Sequence, residues 1–404
     1  MRRFSFAAGL GAALVATGCQ NDSLLPPPVP GYTGGSIFQR YVSLGNSITA
    51  GFQSGGINDS TQKQAYPVLV DSVMGGDPFY YPSLAKPGCP PPYSNVFTRL
   101  RITGDTVSTA CYYRVPPPPP YVNNVAVPGA QALDATQNGP GPGTNSNALT
   151  QLILGGRTQV QALVQARPTF VSVWLGNNDV LGAATNFANA GDPALVTPVP
   201  TYQTQYDAVV NAIAGAGAKA ILIGVANVTA IPFFSQAQVY VALQAGSQLP
   251  PPPFLTLGPN CAPPSSGGKG DSVLIPFPFG AAKVDSASKG AMVTITCTEL
   301  QTVQPAELRN LVTTVLAYNA YDSTDAVQHG WAWLNPNPTL DSLRAVAGQV
   351  AVFPALGQPC SANPFGLAFS CDGVHPSAAT HRIIARHIVQ AINAKFSSAI
   401  PAVP

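Results

Sequence analysis

Apolar residues along the chain follow two rhythms, short continuous runs and longer stretches with apolar positions three or four apart. The runs read as buried strands, and the spaced stretches as helices with one face on a core. Tyr41-Val42 is the first run, and Ala65 to Met74 follows as a helix with Tyr66, Leu69, Val70 and Val73 on one face. Tyr121 to Val127 reads as a second strand, ending in the turn Pro128-Gly129-Ala130. Leu149 to Ala166 carries helical spacing interrupted by Gly155-Gly156, and Arg167-Pro168 stops it. Thr169 to Leu175 is a strong strand ending in Gly176-Asn177-Asn178-Asp179. A helix with Tyr206, Val209, Val210 and Ile213 in line leads into the apolar run Ala220 to Val225. The rhythm breaks from Pro232 to Thr302, then resumes with a helix through Leu308, Leu311, Val312, Val315 and Leu316. Trp331 to Leu334 reads as a fifth strand, and a last helix aligns Ile384, Ile388 and Ile392. Strands alternating with helices predict an α/β sandwich on a mostly parallel sheet.

Composition adds limits. The chain has 404 residues, 42 prolines and 38 glycines, but only 9% charged residues with a net charge of +2. That length holds one large domain or two ordinary ones, and the Pro/Gly content predicts much irregular backbone. No basic patch marks a nucleic-acid binder, so that class is set aside. The proline runs at 90–92 and 116–120 read as rigid surface loop. The Pro232 to Thr302 segment reads as an insertion, a lid or rim over the active face.

The N-terminus reads as an export signal. Arg2-Arg3 precedes an Ala-rich apolar core from Phe4 to Ala16 that is too short to anchor in a bilayer. It ends in Ala16-Thr17-Gly18-Cys19, which resembles a bacterial lipoprotein cleavage box with Cys19 as the lipid-attachment residue. Ala16 stands where such boxes usually have leucine, and an ordinary secretory signal is the alternative. Residues 1–19 are thus the signal with its cysteine, 20–36 a Pro/Gly-rich tether, and 37–398 the folded domain. The expected location is the bacterial cell envelope, membrane-anchored through the lipid, in the outer membrane of a Gram-negative cell. The other six cysteines form local couples, predicting disulfides Cys89–Cys111, Cys261–Cys297 and Cys360–Cys371 in an oxidising compartment. None has CxxC spacing or a neighbouring histidine, which argues against zinc.

Candidate chemistry gathers at strand ends, the carboxyl edge where open α/β sheets bind ligands. Ser47 lies in Gly45-Asn46-Ser47-Ile48, directly after the first strand. A serine opening a helical turn projects from the sheet edge, with backbone N–H groups facing any negative charge beside it. It needs a base, and the chain offers four histidines. His381 and His387 sit at helical spacing on the last helix, where packing or surface roles are expected. His329 precedes a strand at the wrong end of the sheet. His375 follows Asp372 by three residues, a spacing that lets the carboxylate orient the imidazole. Taken alone, Asp-x-x-His also fits a helix cap, Gly129 a turn glycine and Asn178 a cap at a strand end.

Together, Gly45-Asn46-Ser47-Ile48, Gly129, Gly176-Asn177-Asn178-Asp179 and Asp372-Gly373-Val374-His375 resemble, in this order, the four blocks of the SGNH (GDSL) hydrolase superfamily. The resemblance implies a flavodoxin-like three-layer αβα sandwich with a five-stranded parallel sheet. It implies a serine esterase or lipase without metal or cofactor, acting on an acyl lipid or small ester. Ser47 would be the nucleophile, His375 the base and Asp372 its orienting partner. Ser47, Gly129 and Asn178 would form the oxyanion hole. Asn46 replaces the aspartate that gives the family its name, a polar isostere expected to keep the turn. Gly270-Asp271-Ser272 matches those letters better, but it lacks a preceding strand and a following helix. An acetylesterase or O-acetyltransferase acting on acetylated glycans is the nearest alternative. A surface-binding lipoprotein without catalysis is the alternative from another class.

Overall fold

Four parallel strands carry the fold: β1 (Tyr41–Gly45), β2 (Phe170–Trp174), β3 (Lys219–Ile223) and β4 (Ala332–Leu334), adjacent in that order. Tyr41 lies opposite Phe170, Phe170 opposite Lys219, and Ile221 opposite Ala332. In this computed structural model, residues 35–107, 115–116, 118–137, 144 and 146–404 are described. The expected signal sequence, Cys19, most of the tether and Cys111 lie outside the described residues.

Strands covered on both faces are expected to be apolar on both, and these are, save for the buried serines Ser43 and Ser172. Val42, Leu44, Val171, Val173 and Leu222 belong to one core cluster, with the helices Ala148–Leu154, Gln159–Ala166, Val199–Gly215 and Pro305–Gln328. Tyr41, Phe170, Trp174, Ile221 and Ile223 face the other way, against Tyr66–Met74 and Ala378–Phe396. The result is the expected sandwich of helices, sheet and helices. The helical stretch around Gly155-Gly156 is two helices: Gly155 closes the first in the left-handed conformation at φ 59°, and Thr158 caps the second through Gln161 N–H.

The fifth strand expected at Trp331 to Leu334 forms as β4, but the second, expected at Tyr121 to Val127, is not a full strand. The segment runs beside β1 with one parallel bridge, Ser43 to Asn124, and three backbone bonds: Ser43 N–H to Asn123, Val125 N–H to Ser43 and Val127 N–H to Gly45. Its two asparagines explain the shortfall. Asn123 Nδ2 donates to the Tyr41 carbonyl at 2.7 Å, and Asn124 Nδ2 to the Thr49 carbonyl at 2.8 Å. The Asn123 amide thus takes a β1 acceptor that a regular ladder leaves to backbone, while Asn124 ties the segment to the helical turn after β1. The regular sheet has four strands, and this segment occupies the fifth position outside β1.

The Pro232 to Thr302 segment holds more regular structure than its proline content suggests. Phe234–Gln236 pairs antiparallel with Leu274–Pro276, and Leu255–Leu257 pairs parallel with Val293–Ile295. Helices Ala237–Ala245 and Phe277–Ser288 flank them, and Tyr240, Leu255, Val273, Ile275 and Ile295 form a core of their own. Disulfides join Cys261 to Cys297 and Cys360 to Cys371 as expected. Cys89 is also disulfide-bonded.

Candidate active site

Ser47 is the first residue of a single helical turn, Ser47–Ala50, at the carboxyl end of β1. The turn is tightly specified. Gly45 has no room for a Cβ, which would stand 2.3 Å from Thr49 Oγ1 and 2.7 Å from the Trp174 carbonyl. Asn46 caps the turn, its Oδ1 accepting Ile48 N–H at 3.1 Å and its Nδ2 donating to Asn177 Oδ1 at 3.3 Å. The amide therefore does the capping work that the sequence assigned to a polar isostere.

His375 reaches Ser47 across 328 positions of sequence. Its Nε2 lies 2.9 Å from Ser47 Oγ, and its Nδ1 lies 2.9 Å from Asp372 Oδ2. A carboxylate only accepts, so Nδ1 carries the proton and Nε2 turns its lone pair to the serine. The Phe52 ring packs on the imidazole with centroids 5.1 Å apart.

Asp372 is held by more than its histidine. Oδ1 accepts Val374 N–H at 2.9 Å, His375 N–H at 2.9 Å and the Ser370 hydroxyl at 3.0 Å. Oδ2 accepts Gly55 N–H at 2.8 Å besides the imidazole. Burial alone would raise its pKa, but the charge of His375 and these hydrogen bonds hold it down to about 2. The Ser54-Gly55 turn carried no signal in the sequence, because its contacts with Ser370, Cys371 and Asp372 join residues over 300 positions apart. Ser54 N–H donates to Ser370 Oγ at 2.9 Å, and Ser54 Oγ accepts Cys371 N–H at 3.1 Å.

Asn178 opens the helix Asn178–Ala184 after β2, and its Nδ2 donates to the Ala130 carbonyl at 2.9 Å. That bond places it against the turn containing Gly129, whose φ of 87° suits glycine. Asp179, next in the helix, accepts Ala132 N–H at 3.0 Å and ties the same turn to the same helix. Burial pushes the Asp179 pKa up to about 6, against the lowering effect of the Ala132 bond. A pocket of about 40 Å³ in front of Ser47 is lined by Asn178, Leu181, Ile231 and His375 among others. Gly129 is not among its lining residues and stands one residue before the carbonyl that Asn178 engages.

The other sequence candidates stand apart. Ser272 bonds the Lys269 carbonyl in an exposed turn of the insertion. His329 caps the helix Pro305–Gln328 ahead of β4. His387 bonds Thr339, and His381 is fully buried with Nδ1 accepting Tyr66 N–H at 3.3 Å. Among the described residues, no group of three or more His, Cys, Asp and Glu side chains is placed to hold a metal ion.

Solved structures similar to this chain include a catalytic mutant of Axe2, an acetylxylan esterase from Geobacillus stearothermophilus. It is 12% identical, with a TM-score of 0.39 over 90% of this chain and 96% of that one. An extracellular lipase from Streptomyces rimosus is 13% identical, with a TM-score of 0.40 over 87% of this chain and 99% of that one. TesA is 14% identical, with a TM-score of 0.35 over 88% and 99%. No curated protein matches the chain in sequence. Residues 41–388 match the model of the GDSL-like Lipase/Acylhydrolase family, from β1 to the last helix and across all four sequence blocks. The chain belongs to this family of ester hydrolases, the GDSL or SGNH hydrolases.

Proposed function

We propose that the chain hydrolyses carboxylic esters by two-step acyl transfer through Ser47. The observation that carries this reading is the hydrogen-bonded line from Ser47 Oγ through both nitrogens of His375 to Asp372, with 2.9 Å at each contact. His375 takes the proton of Ser47 as Oγ attacks the ester carbonyl, and gives it to the departing alcohol. Water then repeats the sequence on the acyl-enzyme and releases the acid. Asp372, ionised at every working pH, fixes the tautomer and stabilises the imidazolium. Ser47 N–H, the Asn178 amide and Gly129 N–H receive the oxyanion. Ser47 N–H suits this task because the first N–H of a helical turn has no acceptor within the turn. Hydrolysis of p-nitrophenyl esters tests the assignment. Ser47→Ala is expected to lower kcat roughly 10⁴-fold or more, and Asn178→Ala about 10²–10³-fold. A folded Ser47→Ala protein with undiminished turnover would sink the assignment.

The insertion is the rim of this site. Phe233 N–H donates to the Gly373 carbonyl at 2.9 Å, inside the Asp372–His375 loop, and Phe277 N–H donates to the Phe233 carbonyl at 2.8 Å. Export with lipid attachment at Cys19 belongs to the same reading. It is supported by the basic and apolar N-terminal sequence and by disulfides suited to an oxidising compartment. Metabolic labelling with a palmitate analogue in a bacterial host is expected to mark the wild type and not Cys19→Ser. Equal labelling of both would remove the anchor.

A further inference from the structure

We infer that the ester split at this site joins a short, uncharged acyl group to a bulky alcohol with an aromatic or apolar part; the inference rests on the serine-esterase reading above. Three cavities meet at Val374, the residue before His375. The central one is the pocket of about 40 Å³ that contains Ser47, Asn178 and His375. It shares Ile48, Ala226, Ile231 and Val374 with a second cavity of about 30 Å³, which continues to Trp174, Ile223 and Leu340. The third is a cleft of about 1110 Å³ walled by Phe97, Phe233 and the helix Phe277–Ser288, and it touches the catalytic loop at Asp372 and Val374.

Position assigns the two ends of the ester. An acyl group bonded to Ser47 Oγ starts beside Ile48, which lines the small cavity and not the cleft. The alcohol must leave from the His375 side, because the proton that Ser47 gave to Nε2 passes to its oxygen. The C–O bond to the alcohol breaks there as the Oγ–C bond is retained, and water later releases the acid. Asp372 and Val374, which flank His375 in the loop, are the residues that the cleft reaches.

Size and polarity then set the chemistry. A cavity needs roughly 10–15 Å³ on this measure to hold one water. The small cavity's 30 Å³ therefore takes a group of about two or three heavy atoms, an acetyl to butyryl tail rather than a fatty chain. No Asp, Glu, Lys or Arg lines it, and its Thr339 and His387 side chains bond each other at 2.7 Å. A charged acyl group would be stranded there. The cleft, by contrast, exceeds the roughly 300–1,000 Å³ of drug-sized ligand sites. Its phenylalanines offer apolar faces, and Arg99, Arg101, Asp285 and Lys289 make part of the rest of its lining charged.

The test is chain-length specificity on p-nitrophenyl acetate, butyrate and octanoate, with Ser47→Ala as baseline. The wild type is expected to favour butyrate or acetate over octanoate by at least about tenfold in kcat/KM, since each methylene accommodated is worth about fourfold. Leu340→Ala, at the wall away from Ser47, should shift the preference toward longer chains. Ala226→Leu, in the shared wall, should lower butyrate relative to acetate. Phe277→Ala should raise KM for 2-phenylethyl acetate more than for ethyl acetate. Thermal melts of each variant separate pocket effects from loss of fold. Wild-type turnover of octanoate as fast as acetate, with Ser47→Ala inactive, would overturn the short-acyl inference and leave the esterase standing. A chain-length profile unchanged in both folded pocket variants would overturn it too. No turnover of any ester by folded wild type would remove the esterase reading and this inference with it.

Discussion

Five donors on one carboxylate make Asp372 the most constrained polar group of the site, and only two of them, both from His375, were legible in the Asp-x-x-His spacing. The remaining order comes from the neighbouring residues Val374 and Ser370 and from Gly55, which is brought in by folding. Ser370 lines none of the three cavities at the site, and its hydroxyl links the Ser54 N–H to Asp372 Oδ1, the geometry of a residue that would act by positioning. Removing a donor from a carboxylate raises its pKa and loosens its hold on the imidazole. Ser370→Ala is therefore expected to lower kcat about tenfold with little change in KM, and Ser370→Thr to restore most of it. Asp372→Asn sets the ceiling, with a loss of roughly 10⁴ from the wrong tautomer. Steady-state kinetics of the three proteins decide the point, and a rise in KM alone for Ser370→Ala would assign Ser370 to binding instead. Ser47, Asn178 and His375, which line one pocket, stood out in the sequence only together, as blocks that resemble a family, since singly the Asn178 and Asp-x-x-His blocks also fit caps. Bracing by residues such as Ser54 and Asp179 depends on contacts that no local pattern encodes.

At the scale of elements, strands buried on both faces were the easiest to read, since Ala220 to Ile223 is apolar throughout and Val171 to Trp174 is broken only by Ser172, which bonds the Tyr41 hydroxyl. The segment beside β1 was harder. Asn123 and Asn124 sit inside an apolar run, and the Asn123 amide displaces part of the ladder that the run predicts. The insertion was hardest, because short strands among prolines give weak periodic signals, and its order comes from a separate core and a disulfide. The two described disulfides therefore predict different losses. Cys261–Cys297 fastens the insertion's own core, while Cys371 adjoins Asp372 and gives its N–H to Ser54. Removing a native disulfide costs roughly 2–5 kcal/mol. Cys360→Ser with Cys371→Ser should lower both melting temperature and kcat. Cys261→Ser with Cys297→Ser should open the insertion to limited proteolysis and change kcat less. A kcat loss of equal size in both pairs would mean that the insertion holds the catalytic loop as firmly as the local disulfide does.

For the molecule as a whole, His381, buried on the inner face of the last helix, predicts how stability changes with pH. It sits between that helix and Tyr66, with Nδ1 accepting the Tyr66 N–H, which leaves the neutral imidazole as the form the fold accommodates. Burial, then the charge of His375, pushes its pKa down to about 3. An unfolded histidine titrates near about 6.5, so between these values the unfolded chain binds the extra proton. Stability from this residue is therefore complete above about pH 6.5 and is lost as pH falls toward 3. Buried carboxylates act the other way. Burial raises Asp71 to about 7 and Asp179 to about 6, so their contributions grow as pH falls. The overall curve mixes both signs, and a difference between two proteins isolates the histidine. His381→Gln keeps an acceptor near Tyr66 and cannot be protonated. It should be less stable than wild type at pH 7.5, with the gap narrowing by about 3 kcal/mol at pH 4. Urea unfolding at the two pH values measures this directly. A gap that stays constant would mean that His381 takes up its proton equally in folded and unfolded chains. The same burial explains the division of labour among the histidines, because an imidazole sealed against Tyr66 cannot reach Ser47, whereas His375 meets it at the mouth of the pocket.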